Sequence, residues 1–235
     1  MGLEQLKGAP SSGGNPESRE NLIKVDRIEP VDVTRTRGLY TILRMFKENR
    51  DHLAGITNET TIFDIYNYYR ELGRHGFVGL SNTGGLVGVY DLSGPEITRT
   101  RRGGQDVELT LGFLNRMCVR TDLQRRGVGQ QLTEHALHKA HNEYGWSNLL
   151  AGIVLDETVT QRIQRARATE EEHIRDTIFR DTFNNLKETD ARVKLFVVRN
   201  GFQYSGFHPN VTVGGQVREV LLISQPRSNV ATSRG

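Results

Sequence analysis

The sequence has little cysteine and no long apolar stretch, and both shortages limit what it can be. Cys118 is its single cysteine, so no intrachain disulfide can form, which is typical of a reducing compartment. No run of about 18 apolar residues is present, which excludes a transmembrane helix. Residues 1–20 are polar and lack the apolar centre of a secretory signal. We therefore expect a cytoplasmic protein without membrane contact.

The chain also lacks a large surplus of charge. Its 31 Lys and Arg residues against 28 Asp and Glu residues give a net charge of +3. A nucleic-acid-binding protein needs its basic residues concentrated on one surface. Arg99, Arg101 and Arg102 form such a cluster locally, but Gly103 and Gly104 follow and indicate a solvated hairpin tip. We therefore do not expect nucleic acid as a partner.

The two ends of the chain differ in composition from its middle. Residues 1–20 are rich in Gly, Ser, Pro and Glu, and residues 226–235 have a similar composition. Segments of this kind bury too little apolar surface to fold by themselves. The sequence therefore predicts two disordered tails around one folded domain over residues 21–225, a length that suits a single α/β domain.

The first half of this domain reads as helices followed by strands. A strand is expected over residues 22–28, and Asp32 or Thr34 could cap the helix that follows. Thr61 and Asp64 have capping-box spacing at the start of a second helix. Residues 77–80 and 86–92 flank a Gly-Gly turn and predict a β-hairpin. A polar loop of Gly, Arg and Thr is expected after residue 92.

The second half contains a βαβ unit and then a charged segment. A strand at 107–119, a helix at 127–143 and a buried strand at 149–155 predict a parallel pair. Residues 156–190 are highly charged, contain no Pro or Gly, and predict one or two amphipathic helices. A short helix around residues 193–197 and two last strands, at 202–207 and 217–224, complete the pattern.

The turn between the strand and the helix of the βαβ unit carries the strongest chemical signal. Backbone N–H groups at a helix start hold phosphate well, and the helix dipole favours negative charge there. Gly127 and Gly129 would let the backbone approach a phosphate closely, and Arg125 and Arg126 add positive charge. The turn therefore predicts a phosphate-binding site.

Two common phosphate motifs do not fit this turn. A P-loop requires Lys and Ser or Thr after its last glycine, whereas Gln130 and Gln131 follow Gly129. A dinucleotide fingerprint requires Gly or Ala where Leu132 stands. The Gln/Arg-x-x-Gly-x-Gly/Ala pattern remains, and residues 124–129 match it.

Residues 114–129 as a whole resemble the strand, turn and helix of the GNAT N-acetyltransferase superfamily. A second stretch is similar to a later motif of the family, with Phe196, Gly201 and Phe202 in the matching places. The resemblance implies an α/β (α+β) fold with a mixed, mostly antiparallel central sheet, a splayed parallel strand pair and flanking helices. Compared with the compact family pattern, residues 156–190 are a helical insertion, interpreted as a lid over the acceptor or as an outer or dimer contact.

The resemblance also implies acetyl-CoA as co-substrate, with no metal. Its pantetheine arm is expected along the strand at residues 117–119, and its pyrophosphate on the turn at residues 125–130. The implied cofactor-binding residues are Met117, Cys118, Val119, Gln124, Arg125, Arg126, Gly127, Val128, Gly129 and Gln130.

The sequence departs from the family at its two commonest acid–base positions. Asn115 stands where the family often has Glu, and Val197 stands where it often has Tyr. The catalytic candidates are therefore Asn115, which could orient a water or the acceptor, Asp156 as base and Tyr204 as proton donor. Further candidates are Glu108, Glu157 and His208. Cys118 lies inside a strand and is expected in the core.

The sequence thus predicts an N-acetyltransferase that moves the acetyl group directly onto a primary amine in a ternary complex. The alternative is a CoA-binding regulator or scaffold of the same fold that does not transfer, and a larger acyl or aminoacyl donor also stays open. The amine acceptor is not identified by the sequence, and both a monomer and a homodimer are compatible with it.

Overall fold

A computed structural model describes residues 22–71, 75–102, 105–213 and 216–227. The predicted tails, apart from Pro226 and Arg227, lie outside these ranges. Within the described ranges, every helix is too short or too polar to span a lipid bilayer. The strands are β1 Arg27–Pro30, β2 Gly76–Leu80, β3 Leu86–Arg102, β4 Gln105–Val119, β5 Asn148–Val154, β6 Gln203–Val213 and β7 Gln216–Pro226. The helices are α1 Thr36–Glu48, α2 Ile62–Glu71, α3 Val128–His138, α4 Glu157–Arg167, α5 Glu172–Thr189 and α6 Ala191–Val193, which continues as a π-helix over Lys194–Arg199.

The strands form one seven-stranded sheet in the order β1-β2-β3-β4-β5-β7-β6. Every neighbouring pair is antiparallel except β4 and β5, which run parallel. The parallel pair follows from the βαβ connection through α3, because a helix must return the chain to the same end of the sheet. The predicted fold class, a mixed and mostly antiparallel sheet with one parallel pair and flanking helices, is confirmed.

The parallel pair stays together over only four residues of each strand. β4 pairs with β5 from Leu111 to Leu114, opposite Asn148 to Ala151, and then the two strands separate. Beyond that point β4 continues to pair with β3, and β5 continues to pair with β7. Residues 115–119 therefore have one strand edge without a partner strand, which faces the gap between the two halves of the sheet.

The helices cover both faces of the sheet and enclose two cores. α3, α4, α5 and α6 pack on one face, around Leu132, Ile163 and Leu186. α1 and α2 pack on the other face, around Phe46, Tyr69 and Val89. The gap between β4 and β5 thus opens between an α3 face and an α1/α2 face.

Local sequence signals explain the start of α2 but not that of α1. The Thr61–Asp64 capping box is confirmed, because the Asp64 carboxylate accepts from the Thr61 N–H at 2.7 Å and Thr61 Oγ1 accepts from the Asp64 N–H at 3.3 Å. The predicted cap of α1 is wrong, because α1 starts after Arg35 without a side-chain cap. Asp32 instead accepts from the N–H and hydroxyl of Thr34.

Two predicted strand boundaries also change. β1 starts at Arg27 rather than residue 22, because Ile23 N–H donates to Arg126 O and Val25 N–H donates to Gln131 Oε1. The polar loop expected after residue 92 is wrong as well. β3 and β4 remain paired out to Arg102 and Gln105, so the hairpin is long and its arms hold the basic cluster.

The charged segment 156–190 forms two helices, α4 and α5, as predicted. They contribute Ile163, Ala166 and Leu186 to the core on the α3 face. Arg167 contacts both carboxylate oxygens of Glu219, a buried residue of β7, at 3.2 and 3.0 Å. The lid remains a prediction, but deleting residues 160–187 cannot test it, because that deletion would also remove part of the core.

Candidate active site

The turn that follows β4 exposes backbone donors at the start of α3. A short 3₁₀ turn over Thr121–Leu123 leads into it, and Arg125 and Gly127 adopt left-handed backbone conformations with φ of 61° and 81°. Gly127 is the N-cap of α3 and provides no side-chain hydrogen bond. The first N–H groups of a helix have no intrahelical acceptor. The turn is therefore a site at which an anion can accept several backbone hydrogen bonds.

Protein contacts hold this turn from both sides. Gln124 Nε2 donates to Asn49 Oδ1, next to the end of α1, at 3.0 Å. Gln131 Nε2 donates to Ile23 O at 2.8 Å. Gln130 exchanges hydrogen bonds with the side-chain amide of Asn200, just before β6. The side chains of Gln124 and Gln130 have protein partners, and Gln124 N–H donates to Thr121 O at 3.4 Å, so the backbone N–H of Gln130 is what this pair can offer to an anion.

Gly129 lies where α3 packs against the π-helix. A Cβ at this position would be 3.2 Å from Leu195 Cδ2 and 3.8 Å from Val119 Cγ2. The glycine therefore lets the first turn of α3 approach both the π-helix and the end of β4. This close packing keeps the uncapped helix start directly beside the open edge of β4.

Along that edge, the side chains of the predicted cofactor strand are used by the protein. Met117 and Val119 pack against the core on the α3 face. Cys118 is buried on the opposite face, and its Sγ donates to Met45 O at 3.4 Å. Burial raises the pKa of Cys118 to about 12, so it stays a thiol at neutral pH. These three residues can therefore contact a ligand chiefly through their backbone.

A buried carboxylate lies on the α1/α2 face where β4 leaves β5. Asp91 of β3 is 0% exposed, and its Oδ1 accepts from the Tyr68 hydroxyl at 2.7 Å. Its Oδ2 is buried without a hydrogen-bond partner. Burial raises the pKa of Asp91 to about 6, while the Tyr68 hydroxyl, the charge of Arg116 and the Asn115 amide act in the opposite direction.

Asn115 is the extra residue of a β-bulge at this point. Asp91 pairs with Arg116 and Leu92 pairs with Leu114, so Asn115 has no opposite partner on β3. Its side chain exchanges hydrogen bonds with Ser93 Oγ, at 2.9 and 3.2 Å, and remains exposed. The bulge thus puts a fixed amide at the opening of the gap, next to Asp91.

On the other side of the gap, Arg192 connects the end of β5 to the segment between α1 and α2. Arg192 Nη1 donates to Val154 O at the end of β5, at 2.9 Å, and to His52 Nδ1 at 3.2 Å. Asp190 holds the same guanidinium, with a closest contact of 2.6 Å. Burial and the charge of Arg192 lower the pKa of His52, which keeps its imidazole neutral.

The structure does not bring the other catalytic candidates together with Asn115. Asp156 is the N-cap of α4, and its carboxylate accepts from Val159 N–H at 2.8 Å. Tyr204 is three strands away from β4, about 14 Å across the sheet, and its ring packs 4.8 Å from that of Phe183. Both residues therefore have structural tasks of their own.

The further candidates, Glu108, Glu157 and His208, also have other contacts. Glu157 forms an ion pair with Arg218 at 2.7 Å, and Glu108 lies 3.7 Å from Arg99 in the long hairpin. His208 Nδ1 is 2.9 Å from Pro209 O and its side chain is exposed. The described residues contain no cluster of three or more His, Cys, Asp or Glu side chains arranged to hold a metal ion.

Sequence reasoning missed Tyr68, Asp91 and Arg116, which the fold brings together from α2, β3 and β4. A weak signal existed, because Asp91 and Arg116 each interrupt an otherwise apolar strand. A charged residue within such a strand must find a partner or carry a function. Their proximity depended on the β3–β4 register, which the sequence alone did not show.

Replacing Asp91 should change how the free energy of unfolding depends on pH, because its carboxylate is buried. The pKa of Asp91 is raised in the folded state, so the stability it contributes is present below its unfolded value and is lost as pH rises through about 6. We therefore expect the stability of Asp91→Asn, relative to the native protein, to increase by about 2 kcal/mol between about pH 4 and about pH 7.5. Urea unfolding at both pH values measures this difference.

The exposed Asp51 provides the matched control for that measurement, since Asp51→Asn removes the same charge without burial. Its stability relative to the native protein should change little with pH. If the stability of Asp91→Asn relative to the native protein were equally independent of pH, this would contradict the assignment of Asp91 as a buried carboxylate that loses its proton near pH 6.

Similar folds occur among solved structures, although neither a family model nor a curated protein matches this chain. An acetyltransferase of the GNAT family from Streptococcus pneumoniae is 14% identical, with a TM-score of 0.52 over 85% of this chain and 98% of that one. yncA from Salmonella typhimurium, solved with its cofactor acetyl-CoA, is 16% identical, with a TM-score of 0.53 over 87% of this chain and 95% of that one. A mutant of a spermidine N-acetyltransferase from Vibrio cholerae is 13% identical, with a TM-score of 0.53 over 86% of this chain and 94% of that one. The resemblance to the GNAT superfamily is thus confirmed at the level of the fold, and this chain is a GNAT-fold protein.

Proposed function

We propose that this chain is an N-acetyltransferase that moves an acetyl group from acetyl-CoA to a primary amine. The observation that carries the proposal is the direct succession of an unpaired strand edge, residues 115–119, and an uncapped helix start at Gly127. The edge can pair with amides and the helix start can bind phosphate, and the pantetheine and pyrophosphate of CoA present these groups in that order.

The residues of the strand edge and of the helix start fit acetyl-CoA. The backbone of Met117, Cys118 and Val119 would pair with the pantetheine arm. The N–H groups from Arg125 through Gln130 would receive the pyrophosphate, and the guanidinium groups of Arg125 and Arg126 would add positive charge. When bound, the co-substrate supplies an acetyl thioester that a neutral amine can attack.

The protein's contribution to transfer would be mainly positioning. Holding an amine beside the thioester removes much of the entropic barrier of a bimolecular reaction. A backbone N–H at the bulge of β4 would stabilise the oxyanion, and Asn115 would orient the acceptor or a water. Cys118 would not act as a nucleophile, because its buried thiol has a raised pKa. Transfer would then be direct, without an acetylated enzyme.

The acceptor side would be the α1/α2 face. His52, Gly55 and Arg116 border the gap on that face, whereas α4 and α5 pack with α3 on the other. The neighbours carry names with different acceptors, since one is described as a spermidine N-acetyltransferase and another as a ribosomal-protein-alanine N-acetyltransferase. We infer that the segment between α1 and α2, rather than the α4–α5 pair, selects the amine.

The test uses purified protein with acetyl-CoA labelled in the acetyl group. Calorimetry measures binding of the co-substrate, and mass spectrometry detects labelled products in pools of small amines, amino acids and peptides. We expect binding, together with thiol release that depends on one of the pools. Tight binding without a labelled product in any pool would favour the alternative, a CoA-binding regulator or scaffold.

A further inference from the structure

Arg116 lies at the position where β4 separates from β5. It follows the bulge residue Asn115 directly and precedes Met117, the first residue of the proposed pantetheine edge. Its side chain lies on the α1/α2 face, the face proposed for the acceptor. Arg116 is thus the charged residue of β4 nearest to the proposed reaction centre.

The guanidinium of Arg116 is held by aromatic rings instead of by a carboxylate. Its Cζ lies 3.9 Å from the centroid of the Tyr68 ring and 5.7 Å from that of Phe46. Among the described residues, no carboxylate lies within 4.0 Å of it and no hydrogen bond occupies its donors. An arginine has five N–H donors. Within the described part of the chain, those of Arg116 are available to a ligand.

Asp91 explains why the cation is tolerated without being neutralised. The carboxylate is fully buried beneath the cluster and accepts from Tyr68, and its charge acts on Arg116 through space. The two groups form no ion pair, and the guanidinium lies over the Tyr68 ring. A planar fork fixed in this way is pre-organised for an oxyanion.

The segment between α1 and α2 passes beside this guanidinium. Gly55 has a φ of 74°, and a Cβ at this position would be 3.6 Å from Arg116 Nη2. The backbone therefore passes close to the cation at a residue without a side chain. Phe46 and Tyr68 form the apolar floor, and Arg116 provides the charge, which is the composition of a small-ligand subsite.

We propose that Arg116 binds an oxyanion group, a carboxylate or a phosphate, carried by the amine acceptor. The inference rests on the proposed function, since the amine would be acetylated beside Asn115 and Arg116. The amine would lie at Asn115 and the anionic group at the guanidinium of Arg116, so the distance between the two groups cannot exceed about the length of one arginine side chain. The acceptor class is therefore a small molecule with both groups a few bonds apart.

The experiment uses reaction products, so that binding is measured without requiring transfer. The protein saturated with CoA is titrated with N-acetylglycine, N-acetyl-β-alanine and N-acetyl-O-phosphoethanolamine. Their neutral partners are N-acetylglycinamide, N-acetyl-β-alaninamide and N-acetylethanolamine. Calorimetry gives the affinities, and NMR follows the Nε–H resonance of Arg116, which is assigned by its loss in Arg116→Met. The carboxylate and phosphate members tell the two oxyanions apart.

We expect at least one anionic product to bind about 10-fold or more tightly than its neutral partner and to shift the Arg116 resonance. Arg116→Met should abolish this preference. Arg116→Lys should retain part of it, because a lysine keeps the positive charge but cannot bind an oxyanion in the bidentate way of a guanidinium. Arg162→Met, which removes an exposed arginine of α4, should leave the preference unchanged. Thermal unfolding checks that each variant is folded.

Equal binding of charged and neutral members, no binding of any member, or a preference that survives in Arg116→Met overturns the inference. Thiol release is measured on the same samples. Transfer without a preference for oxyanions contradicts only the role of Arg116. If the protein does not bind CoA, the titrations are made without it, and a preference for oxyanions then contradicts only the acetyltransferase proposal.

Discussion

Gly127→Glu should weaken binding of acetyl-CoA by about 1,000-fold, or about 4 kcal/mol. Gly127 is the N-cap of α3, where unpaired N–H groups and the helix dipole favour an anion. A glutamate at this residue would bring its own carboxylate to the site and repel the pyrophosphate at short range. Isothermal titration calorimetry with acetyl-CoA measures the loss.

The backbone strain of this substitution has to be separated from its effect on the ligand. Gly127 has a φ of 81°, a conformation that costs an L-residue about 1–2 kcal/mol. Gly145 has a φ of 70°, has open space around it and lies outside the turn, so Gly145→Glu adds the same charge with a similar strain. Gly145→Glu should lose stability but keep its affinity. Equal affinities for the two variants would contradict the phosphate site.

The cofactor side of the molecule was predictable because it depends on contiguous sequence. A strand, a glycine turn and a helix over residues 107–143 carry their own periodicity and turn signals. Their order also implied the parallel pair, because an intervening helix imposes it. The turn at Gly127 needed no knowledge of distant residues, and the structure has it where the pattern predicted it.

The acceptor side was not predictable because it depends on register. The register of β3 against β4 shifts by one residue between Ser93 and Glu96, and the bulge at Asn115 shifts it back, so that Asp91 faces Arg116. A shift of one residue changes which side chains share a face, and apolar patterning alone does not place a bulge. Tyr204 fails for a related reason, since its distance from β4 follows from the strand order β4-β5-β7-β6.

The base of the gap depends on a contact between a glycine and a tryptophan. Gly112 is the second of the four β4 residues that pair with β5, and Trp146 lies across it with 2% of its surface exposed. A Cβ on Gly112 would be 1.7 Å from Trp146 Cε3 and 2.1 Å from its Cζ3. Because no rotation of a methyl group relieves such an overlap, the indole or the strand has to move.

Gly112→Ala should therefore lower the free energy of unfolding by about 4 kcal/mol, at the upper end of overpacking effects. Urea unfolding measures it, and Gly145→Ala, at a left-handed glycine in open space, should cost only about 1 kcal/mol. If the indole is the obstacle, Trp146→Leu should relieve most of the penalty. In that background Gly112→Ala should cost about 1 kcal/mol, a coupling of about 3 kcal/mol. Additive losses in the double variant would mean that the strand itself, and not the tryptophan, requires a glycine where the two halves of the sheet begin to separate.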